Sequence, residues 1–364
     1  MTVKAYDYAE TAGTMVRDIF GIAVLIGVLI VAPLGATSPY FIITPGGTYE
    51  VGTRPRADGP PRLSIPDAYQ KPMGRMAFTA VFEQESSWSE VVHARLAGRA
   101  EIVPAELIRP RGTSQEQLNA TNQRLIDESK PVAEVVGLRA AGFPVEITGQ
   151  GAQVQSVLSG APADGVLQGG DIITSVDSDA ITTTDSLVKS ITAHQIGDQL
   201  TLTVRRGDQQ LTVPLTTARA PDGNRPIIGV TISTYMFDVH MPFPVDIQSD
   251  NVGGPSAGFM FALAILDAVT DGDLTRGYYV AGTGTISQDG TVGAVGGAAE
   301  KALAAEQDGA QIFLVPRDDA ADAGRWVHNL RIVPLDKLQD AINALCALDP
   351  LPGAASEDAP TPCG

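Results

Sequence analysis

Two glycine-bounded segments in the last third of this chain constrain its fold more than any other feature. The first, Gly253–Gly258, places Ser256 at the start of an apolar helix. The second follows about 45 residues later and places Lys301 in the first turn of an alanine-rich helix predicted over Ala298–Asp308. If the two helices pack together, a hydroxyl and an amine meet in a pocket that excludes water. Such a pair can perform nucleophilic hydrolysis without a histidine.

The residues around Lys301 favour a general base over an ordinary surface ammonium group. They are mostly small, with alanines at 298, 299, 302, 304 and 305 and glycines at 293, 296 and 297. Small residues let another backbone approach closely, and desolvation lowers the pKa of a lysine. Bringing that pKa from about 10.4 to near 7 costs about 4–5 kcal/mol. A neutral amine could then accept the Ser256 proton and return it to the leaving amine.

The helix start at Ser256 also predicts an oxyanion hole, because backbone N–H groups converge at a helix N-terminus. The predicted donors are the N–H of Ser256 and one from Gly253 or Gly254. The hydroxyl of Thr283, in a glycine-flanked turn, is predicted to position the Lys301 amine toward Ser256. The structural alternatives are a plain strand-to-helix turn with serine as its cap, and an ordinary turn role for Thr283.

Composition excludes several classes of function. The net charge of −17 disfavours nucleic acid as a partner. Neither a CxxC nor an HExxH motif occurs, which argues against a zinc site, and no other cofactor is predicted. No GxxxxGK[ST] motif occurs, so no ATP-binding loop is predicted. The two cysteines, Cys346 and Cys363, could pair in an oxidising compartment, and the sequence leaves this open.

The N-terminal region contains a long uncharged stretch. No charged residue occurs from Ile19 to Tyr49, and the apolar part, Ile19–Ala36, would rise roughly 27 Å as a helix. This length predicts one membrane span. A cleavable signal peptide with its core at Ile19–Val31 and a buried core helix are the alternatives. The flanking basic residues do not decide the orientation.

The remaining chain separates into predicted units by composition and periodicity. Residues 40–75 are rich in proline and glycine and indicate an extended connector. A helix is predicted to begin after Ser114, with Gln117 completing a capping box, and to end before Pro131. Short β-rich runs then alternate with glycine turns, and after residue 226 strands alternate with helices, which indicates an α+β or α/β unit.

One sequence motif in the middle of the chain resembles part of a PDZ domain. It consists of Ala161–Gly165 followed by Leu167–Ile173, which would lead from a short helix through a glycine turn into a strand. The resemblance implies a loop that captures a C-terminal carboxylate, with a peptide added as a strand. The matching loop residues are Gly142, Phe143, Pro144 and Val145. A PDZ fold used as a spacer is the alternative.

The serine and lysine motifs together resemble the Lon protease proteolytic domain. Its PSAG serine, TG turn and GG–EK–AA lysine helix stand here at 255–258, 283–284 and 296–305. The resemblance implies that Ser256 is the nucleophile, Lys301 the general base and Thr283 an auxiliary residue. His240 matches a histidine of that family.

Two positions depart from the family pattern. Gly253 stands where many Lon proteins have aspartate, and Thr285 stands where glutamate is usual. Neither departure removes the nucleophile or the base.

A membrane segment, a PDZ unit and a Lon-type unit in this order resemble the PDZ-containing Lon-like proteases of bacteria. The resemblance implies a single-pass protein of the bacterial cell membrane with extracytoplasmic PDZ and protease domains. It also implies a homo-oligomer, such as a hexameric ring. The expected activity is ATP-independent serine endopeptidase action, through a Ser-Lys dyad, on unfolded or membrane-associated proteins.

The predicted fold class is α+β multidomain, with an N-terminal transmembrane helix, a β-rich PDZ domain and a C-terminal α/β Lon-type proteolytic domain. The predicted segments are an N-terminal flank at 1–18, the span at 19–36, a connector at 37–131 with a strand and helices packing on the protease domain, the PDZ domain at 132–219, the proteolytic domain at 226–346 and a disordered tail at 350–364. Two other functions remain open. One is a catalytically inactive, membrane-tethered PDZ scaffold, and the other is a different Ser–Lys hydrolase, such as an amidase or a signal-peptide-processing enzyme.

Overall fold

The structure is a computed structural model that describes residues 36–56, 59–69, 74–110, 112–220, 225–236, 238–352 and 363. The chain forms two compact units. The first combines Met1–Gly142 with Phe243–Gly364, and the second is Phe143–Pro242. The second unit is therefore an insertion in the sequence of the first.

The helices are α1 (Trp88–Ala97), α2 (Ala105–Ile108), α3 (Gln115–Ala140), α4 (Thr184–Thr192), α5 (Gly258–Val269), α6 (Ala298–Gln307), α7 (Ala320–Ala323) and α8 (Leu338–Cys346). Turns of 3₁₀ helix lie at Pro255–Ala257 and Arg317–Asp319. The strands of the first unit are β1 (Thr37–Glu50), β2 (Leu63–Ser64), β3 (Arg75–Ser87), β4 (Glu101–Pro104), β15 (Asp246–Ile247), β16 (Tyr279–Gly282), β17 (Thr285–Ile286), β18 (Val292–Gly293), β19 (Ile312–Pro316) and β20 (Arg331–Leu335). Those of the second unit are β5 (Glu146–Thr148), β6 (Ala152–Val157), β7 (Ile172–Val176), β8 (Asp179–Ala180), β9 (Gln199–Arg206), β10 (Gln209–Thr216), β11 (Ala218–Arg219), β12 (Pro226–Ile227), β13 (Val230–Thr234) and β14 (Asp238–His240).

The first unit is built on a six-stranded mixed sheet in the order β20-β19-β16-β3-β1-β4. Strands β3, β16, β19 and β20 are parallel to one another, while β1 is antiparallel to both β3 and β4. The pairing of β3 with β16 joins residues that lie about 200 positions apart in sequence. Chain from both sides of the insertion therefore builds one sheet.

The prediction of an extended connector over residues 40–75 was wrong at its start. Strand β1 covers Thr37–Glu50, and its residues Phe41, Ile42 and Ile43 are buried. The proline and glycines that suggested a linker lie where the pairing with β3 shifts register, between Pro45 and Thr48. Irregular pairing at a bulge accommodates such residues within a strand.

Helix α3 crosses the proline that was expected to end it. It runs from Gln115 to Ala140 with Pro131 inside, and the predicted capping box of Ser114 with Gln117 is confirmed. An internal proline removes a backbone hydrogen bond, but burial of the turns beyond it, including Ala133, Val135 and Leu138, supports the helix. These turns pack on α5 so closely that a Cβ built at Gly137 would lie 2.6 Å from the carbonyl oxygen of Ala262.

The second unit contains the sheet β10-β9-β7-β6-β13, with β8 paired to β7. Its apolar core includes Val154, Ile173, Leu187 and Leu202. The unit differs from the predicted PDZ segment of 132–219 at both ends. Residues 132–140 continue α3, and the first unit extends to Gly142, whereas residues 226–242 belong to the second unit because β13 pairs with β6. The sequence predicts these residues to be part of the proteolytic domain, because it does not show which sheet a short strand joins.

The predicted membrane span at 19–36 lies outside the described residues except for Ala36. Among the helices of the described ranges, none is long and apolar enough to cross a bilayer. Most of the predicted C-terminal tail is likewise outside these ranges. Cys363 is described, and it forms a disulfide with Cys346 at the end of α8, with the two Cα atoms 5.5 Å apart. The pairing that the sequence left open is therefore present.

The contact of α3 with α5 leads to a stability prediction. We expect Gly137→Ala to destabilise the protein by about 1–3 kcal/mol, because the added methyl group would press on the α5 backbone and on the Ile265 side chain. Unfolding in urea, followed by circular dichroism, measures the change. Gly52→Ala is the matched control, since a Cβ at Gly52 would meet no atom within 4 Å. Equal stability of the two variants would contradict close packing at this site.

Candidate active site

The structure brings the two predicted catalytic residues into direct contact. The Lys301 Nζ donates a hydrogen bond to the Ser256 Oγ over 3.1 Å. Lys301 lies on the first turn of α6, and Ser256 lies in the 3₁₀ turn that leads into α5. A nucleophile within hydrogen-bond reach of a base is the geometry that hydroxyl activation requires.

Burial changes the chemistry of the Lys301 amine. The residue is 4% exposed, and desolvation lowers its pKa from the ordinary value to about 8. The negative charges of Asp319, Glu83 and Glu300 act in the opposite direction and raise this pKa. Desolvation is the larger effect, so a substantial fraction of the amine is neutral near pH 8 and can accept a proton.

Hydrogen bonds to the backbone of Ser256 position the nucleophile. Its carbonyl accepts the Gly284 N–H at 2.8 Å and the Thr283 hydroxyl at 3.2 Å. The Phe259 N–H in turn donates to the Gly284 carbonyl. These bonds tie the start of α5 to the turn after β16. Thr283, which is fully buried, thus holds the serine backbone, and this contact replaces the predicted one with the lysine amine.

The glycines before Ser256 fit against α3. A Cβ built at Gly253 would lie 2.8 Å from the Cβ of Asn122, which gives a physical reason why no aspartate stands at this position. Gly254 has a φ of 86° and donates its N–H to the Asn122 carbonyl at 2.7 Å. This N–H is therefore committed to α3, and Gly254 is removed from the predicted oxyanion hole. Within the described chain, the N–H groups of Gly253 and Ser256 have no hydrogen-bond partner.

A cleft of about 1000 Å³ opens over the dyad. Its apolar lining comes mainly from the sheet and from α3, and includes Phe41, Ile43, Val81, Phe82 and Leu118. Glu83, Glu116 and Asn122 add polar groups, and residues 294–296 with the nucleophile turn close the base. All of these residues belong to the first unit. A cleft of this volume has room for several residues of an extended peptide.

His240 and residues 143–145 of the predicted PDZ loop belong to the second unit, whereas Ser256 and Lys301 belong to the first. His240 is on β14 of the second unit, where it pairs opposite Glu146 of β5, and its side chain is largely exposed. Gly142 ends α3 with a φ of 84° and donates its N–H to the Arg139 carbonyl, so that N–H is used in capping the helix. Phe143, Pro144 and Val145 lead from there into β5, and Val145 is buried.

Glu300, beside the lysine in sequence, is a buried carboxyl that sequence reasoning passed over. It is 1% exposed, and neither carboxyl oxygen has a well-formed hydrogen bond with any described residue. Burial raises its pKa to about 7. The backbone N–H groups of Glu300 and Glu101 act against this rise, and the charges of Glu101 and Asp322 add to it. A carboxyl in such surroundings is stabilised in its protonated form.

Sequence reasoning also missed Glu83, Asn122 and Asp319, all of which act at the dyad. Glu83 lies on β3 and is exposed at the cleft. Desolvation of its carboxyl group nevertheless raises its pKa, and the nearby charge of Lys301 offsets part of this rise. Asp319 accepts the Val295 N–H at 2.8 Å beside the lysine helix. No local motif marks these positions. Glu83 and Asn122 come from before the insertion, and only assembly of the sheet and α3 brings them to Ser256.

Comparison with known proteins agrees with both predicted domains. Residues 126–217 match the PDZ domain family, and residues 226–347 match the Lon protease (S16) C-terminal proteolytic domain. The Lon protease of Roseiflexus castenholzii is 37% identical over 128 residues, which are 34% of this chain and 15% of that protein. Lon protease 2 of Bacillus subtilis is 30% identical over 114 residues, which are 31% of this chain and 20% of that protein.

A solved PDZ domain of an SdrC-like protein from Listeria monocytogenes is 28% identical, with a TM-score of 0.22, and covers 23% of this chain and 87% of that structure. The chain spans about a fifth or less of the length of the curated relatives named above. The two matched segments also differ from the compact units. The PDZ match begins inside α3, and the Lon match omits residues 36–142, which complete the sheet around the dyad.

The chain therefore carries a PDZ domain and a proteolytic domain of the Lon type, which supports a serine peptidase. This pairing is that of the PDZ-containing Lon-like proteases, and the resemblance drawn from the sequence motifs is confirmed.

The surroundings of Lys301 predict the titration of its amine. We expect the Nζ group to titrate near pH 8, and Glu83→Gln to lower its pKa further, because a negative charge that favours the ammonium form is removed. NMR of protein labelled with ¹³C-lysine measures both values, and Lys301→Arg assigns the signal. Glu116→Gln is the control, since that cleft carboxylate is not among the charges that shift Lys301. An amine that titrates above pH 10 would contradict the desolvated site.

Glu300 predicts how stability depends on pH. Its pKa is raised in the folded state, so between about pH 4.5 and pH 7 the folded protein holds a proton that the unfolded chain releases. Its contribution therefore makes the free energy of unfolding fall as pH rises through this window, by roughly 3 kcal/mol at most. We expect Glu300→Gln to reduce this loss in urea unfolding measured from pH 4.5 to 8. Glu128→Gln, at an exposed position of α3, should leave the slope unchanged.

Proposed function

We propose that this chain is a serine endopeptidase that works without ATP and uses Ser256 and Lys301 as a catalytic dyad. The observation that carries the proposal is the 3.1 Å hydrogen bond between the buried Lys301 amine and the Ser256 hydroxyl at the base of the cleft. The lowered pKa of the amine supports its role as the base. The absence of a GxxxxGK[ST] motif from the sequence supports the lack of an ATP requirement.

The reaction follows from the positions of these groups. The neutral Lys301 Nζ accepts the proton of the Ser256 Oγ as the oxygen attacks the carbonyl carbon of the peptide bond. The N–H groups of Ser256 and Gly253 are the proposed donors to the oxyanion of the tetrahedral intermediate. The ammonium group then returns its proton to the departing amine. Water, activated by the same amine, hydrolyses the acyl-enzyme and regenerates the serine hydroxyl.

The second unit is proposed to recognise substrate through the PDZ domain. Three residues of the predicted loop, Phe143–Val145, lead into β5, whose pairing with β14 is its one ladder within the described residues. This leaves an edge on which a peptide could add as a strand. Suitable substrates are unfolded or membrane-associated proteins, because no motor motif is present to unfold a stable domain. His240, beside β5, is proposed as an auxiliary residue by family resemblance alone.

The proposed location is the extracytoplasmic side of a bacterial cell membrane, with residues 19–36 as a single anchor. The uncharged sequence of that segment supports the anchor. The Cys346–Cys363 disulfide supports an oxidising compartment, because such bonds persist mainly outside the cytosol. A homo-oligomer, such as a hexameric ring, is proposed from the resemblance to Lon-type proteases.

Hydrolysis of unfolded casein without nucleotide tests the dyad. We expect the full chain to cleave casein, and Ser256→Ala or Lys301→Ala to reduce the rate by a factor of about 10³ or more, because each variant removes one half of the nucleophile–base pair. Ser287→Ala and Lys189→Ala, which alter exposed residues of the same types, are the matched controls.

Three results would contradict the proposed Ser256–Lys301 endopeptidase. Equal cleavage by the full chain and by Ser256→Ala would show that another group is the nucleophile. No cleavage by the full chain, together with no labelling by a serine-directed phosphonate, would favour the PDZ scaffold. Products released only from chain termini would favour a different Ser–Lys hydrolase, such as an amidase.

A further inference from the structure

Helix α1 of the first unit presents an apolar ridge to solvent. Trp88, Val92 and Leu96 follow one another at intervals of four residues, which places them along one side of the helix. They are 41%, 49% and 81% exposed. Ala94 is the one residue of α1 that is buried. A contiguous exposed ridge of large apolar side chains on a folded domain indicates an interaction surface.

The position of α1 within the chain indicates what this ridge contacts. The Trp88 N–H donates to the carbonyl of Ala36 at 3.1 Å, and Ala36 is the last residue of the uncharged apolar segment. Strand β1 begins at the next residue, Thr37, which pairs with Ser87. The end of that segment, at Ala36, therefore lies next to the start of α1. Helix α1 is about 15 Å long, so the whole ridge lies close to this point.

The residues at this junction have the chemistry of a membrane interface. Tyr40 and Trp88 form an edge-to-face pair with ring centroids 6.0 Å apart, and tyrosine and tryptophan concentrate at the level of lipid headgroups. Arg95, exposed and seven residues after Trp88, continues the same side of the helix with a cationic group. The nearby Glu90 is engaged in the capping box with Ser87. Apolar anchors followed by a basic residue fit the boundary between acyl chains and headgroups.

We propose that the α1 ridge, formed by Trp88, Val92 and Leu96, lies on the surface of a lipid bilayer. Contact at both Ala36 and the ridge would hold the first unit against the membrane in a defined orientation. With a single span alone, the first unit could rotate freely relative to the bilayer. The proposal goes beyond the peptidase activity, and it rests on the proposed anchor for the place where the bilayer begins.

Depth-dependent quenching of Trp88 tests the surface. The full-length chain carrying Trp326→Phe, which leaves Trp88 as the one tryptophan, is reconstituted into phosphatidylcholine vesicles with a minor fraction of phosphatidylglycerol and brominated acyl chains. We expect bromolipid to quench Trp88 fluorescence, and Val92→Ser with Leu96→Ser to reduce that quenching roughly two-fold or more by weakening insertion of the ridge. Trp88→Phe, which retains Trp326, reports background quenching.

A matched control separates the ridge from general loss of apolar surface. Val188→Ser with Leu158→Ser alters a valine and a leucine of the second unit that are 48% and 55% exposed, and it should leave Trp88 quenching unchanged. Casein hydrolysis by every variant reports that the fold is intact. This readout also shows whether the proposed peptidase fails independently of the surface.

Three outcomes would overturn the proposal. Vesicle association that resists carbonate extraction, with Trp88 unquenched, would retain the anchor and exclude the surface contact. No association with vesicles would exclude both. In detergent, shielding of Trp88 from solvent could instead increase with protein concentration, and Val92→Ser with Leu96→Ser could reduce the size of the oligomer. These two results together would assign the ridge to contact with a second copy of the chain.

Discussion

The neutral state of the Lys301 amine depends on how closely α6 approaches the central sheet. Ala298, Ala302 and Ala305 pack in one core cluster with Ala77 and Ala281 of the sheet, together with larger residues such as Phe313. Methyl side chains on both surfaces bring the backbones close together and leave little room for water around the amine. Larger residues on α6 would separate the layers, and the desolvation that lowers the lysine pKa would weaken.

Three carboxylates oppose the effect of desolvation on the pKa of Lys301. Asp319, Glu83 and Glu300 all favour the ammonium form, and without them the lysine pKa would be lower still. The site thus combines an apolar environment with negative charges at its edge, and the resulting pKa of about 8 lies near the pH at which a base can both accept and return a proton. Glu300, held in an environment that favours its protonated form, limits how much negative charge reaches the lysine near neutral pH.

Because an insertion divides the first unit, the sequence motifs identified the dyad at the base of the cleft and did not identify the residues of its walls. Strands β1 and β3 and helix α3 precede the second unit, while the dyad follows it. The parallel pairing of β3 with β16 and the packing of Gly253 on Asn122 join these parts. Contacts over such sequence separations carry a loop-closure cost that the buried sheet must offset. The matched Lon-type segment, residues 226–347, therefore contains the dyad without the strands that form much of its cleft.

Residue pattern was enough to identify the chemistry-bearing residues and the class of domain. Ser256 and Lys301 were identifiable because a glycine-flanked serine and an alanine-lined lysine have a local pattern, and the capping box at Ser114 was identifiable for the same reason. The tertiary structure alone decided the continuation of α3 through Pro131, the use of Gly254 and Thr283 to fix the nucleophile's backbone, and the arrival of Glu83 and Asn122 at the dyad. Each of these depends on contacts between residues far apart in the chain, and local propensity carries no information about which surfaces will meet.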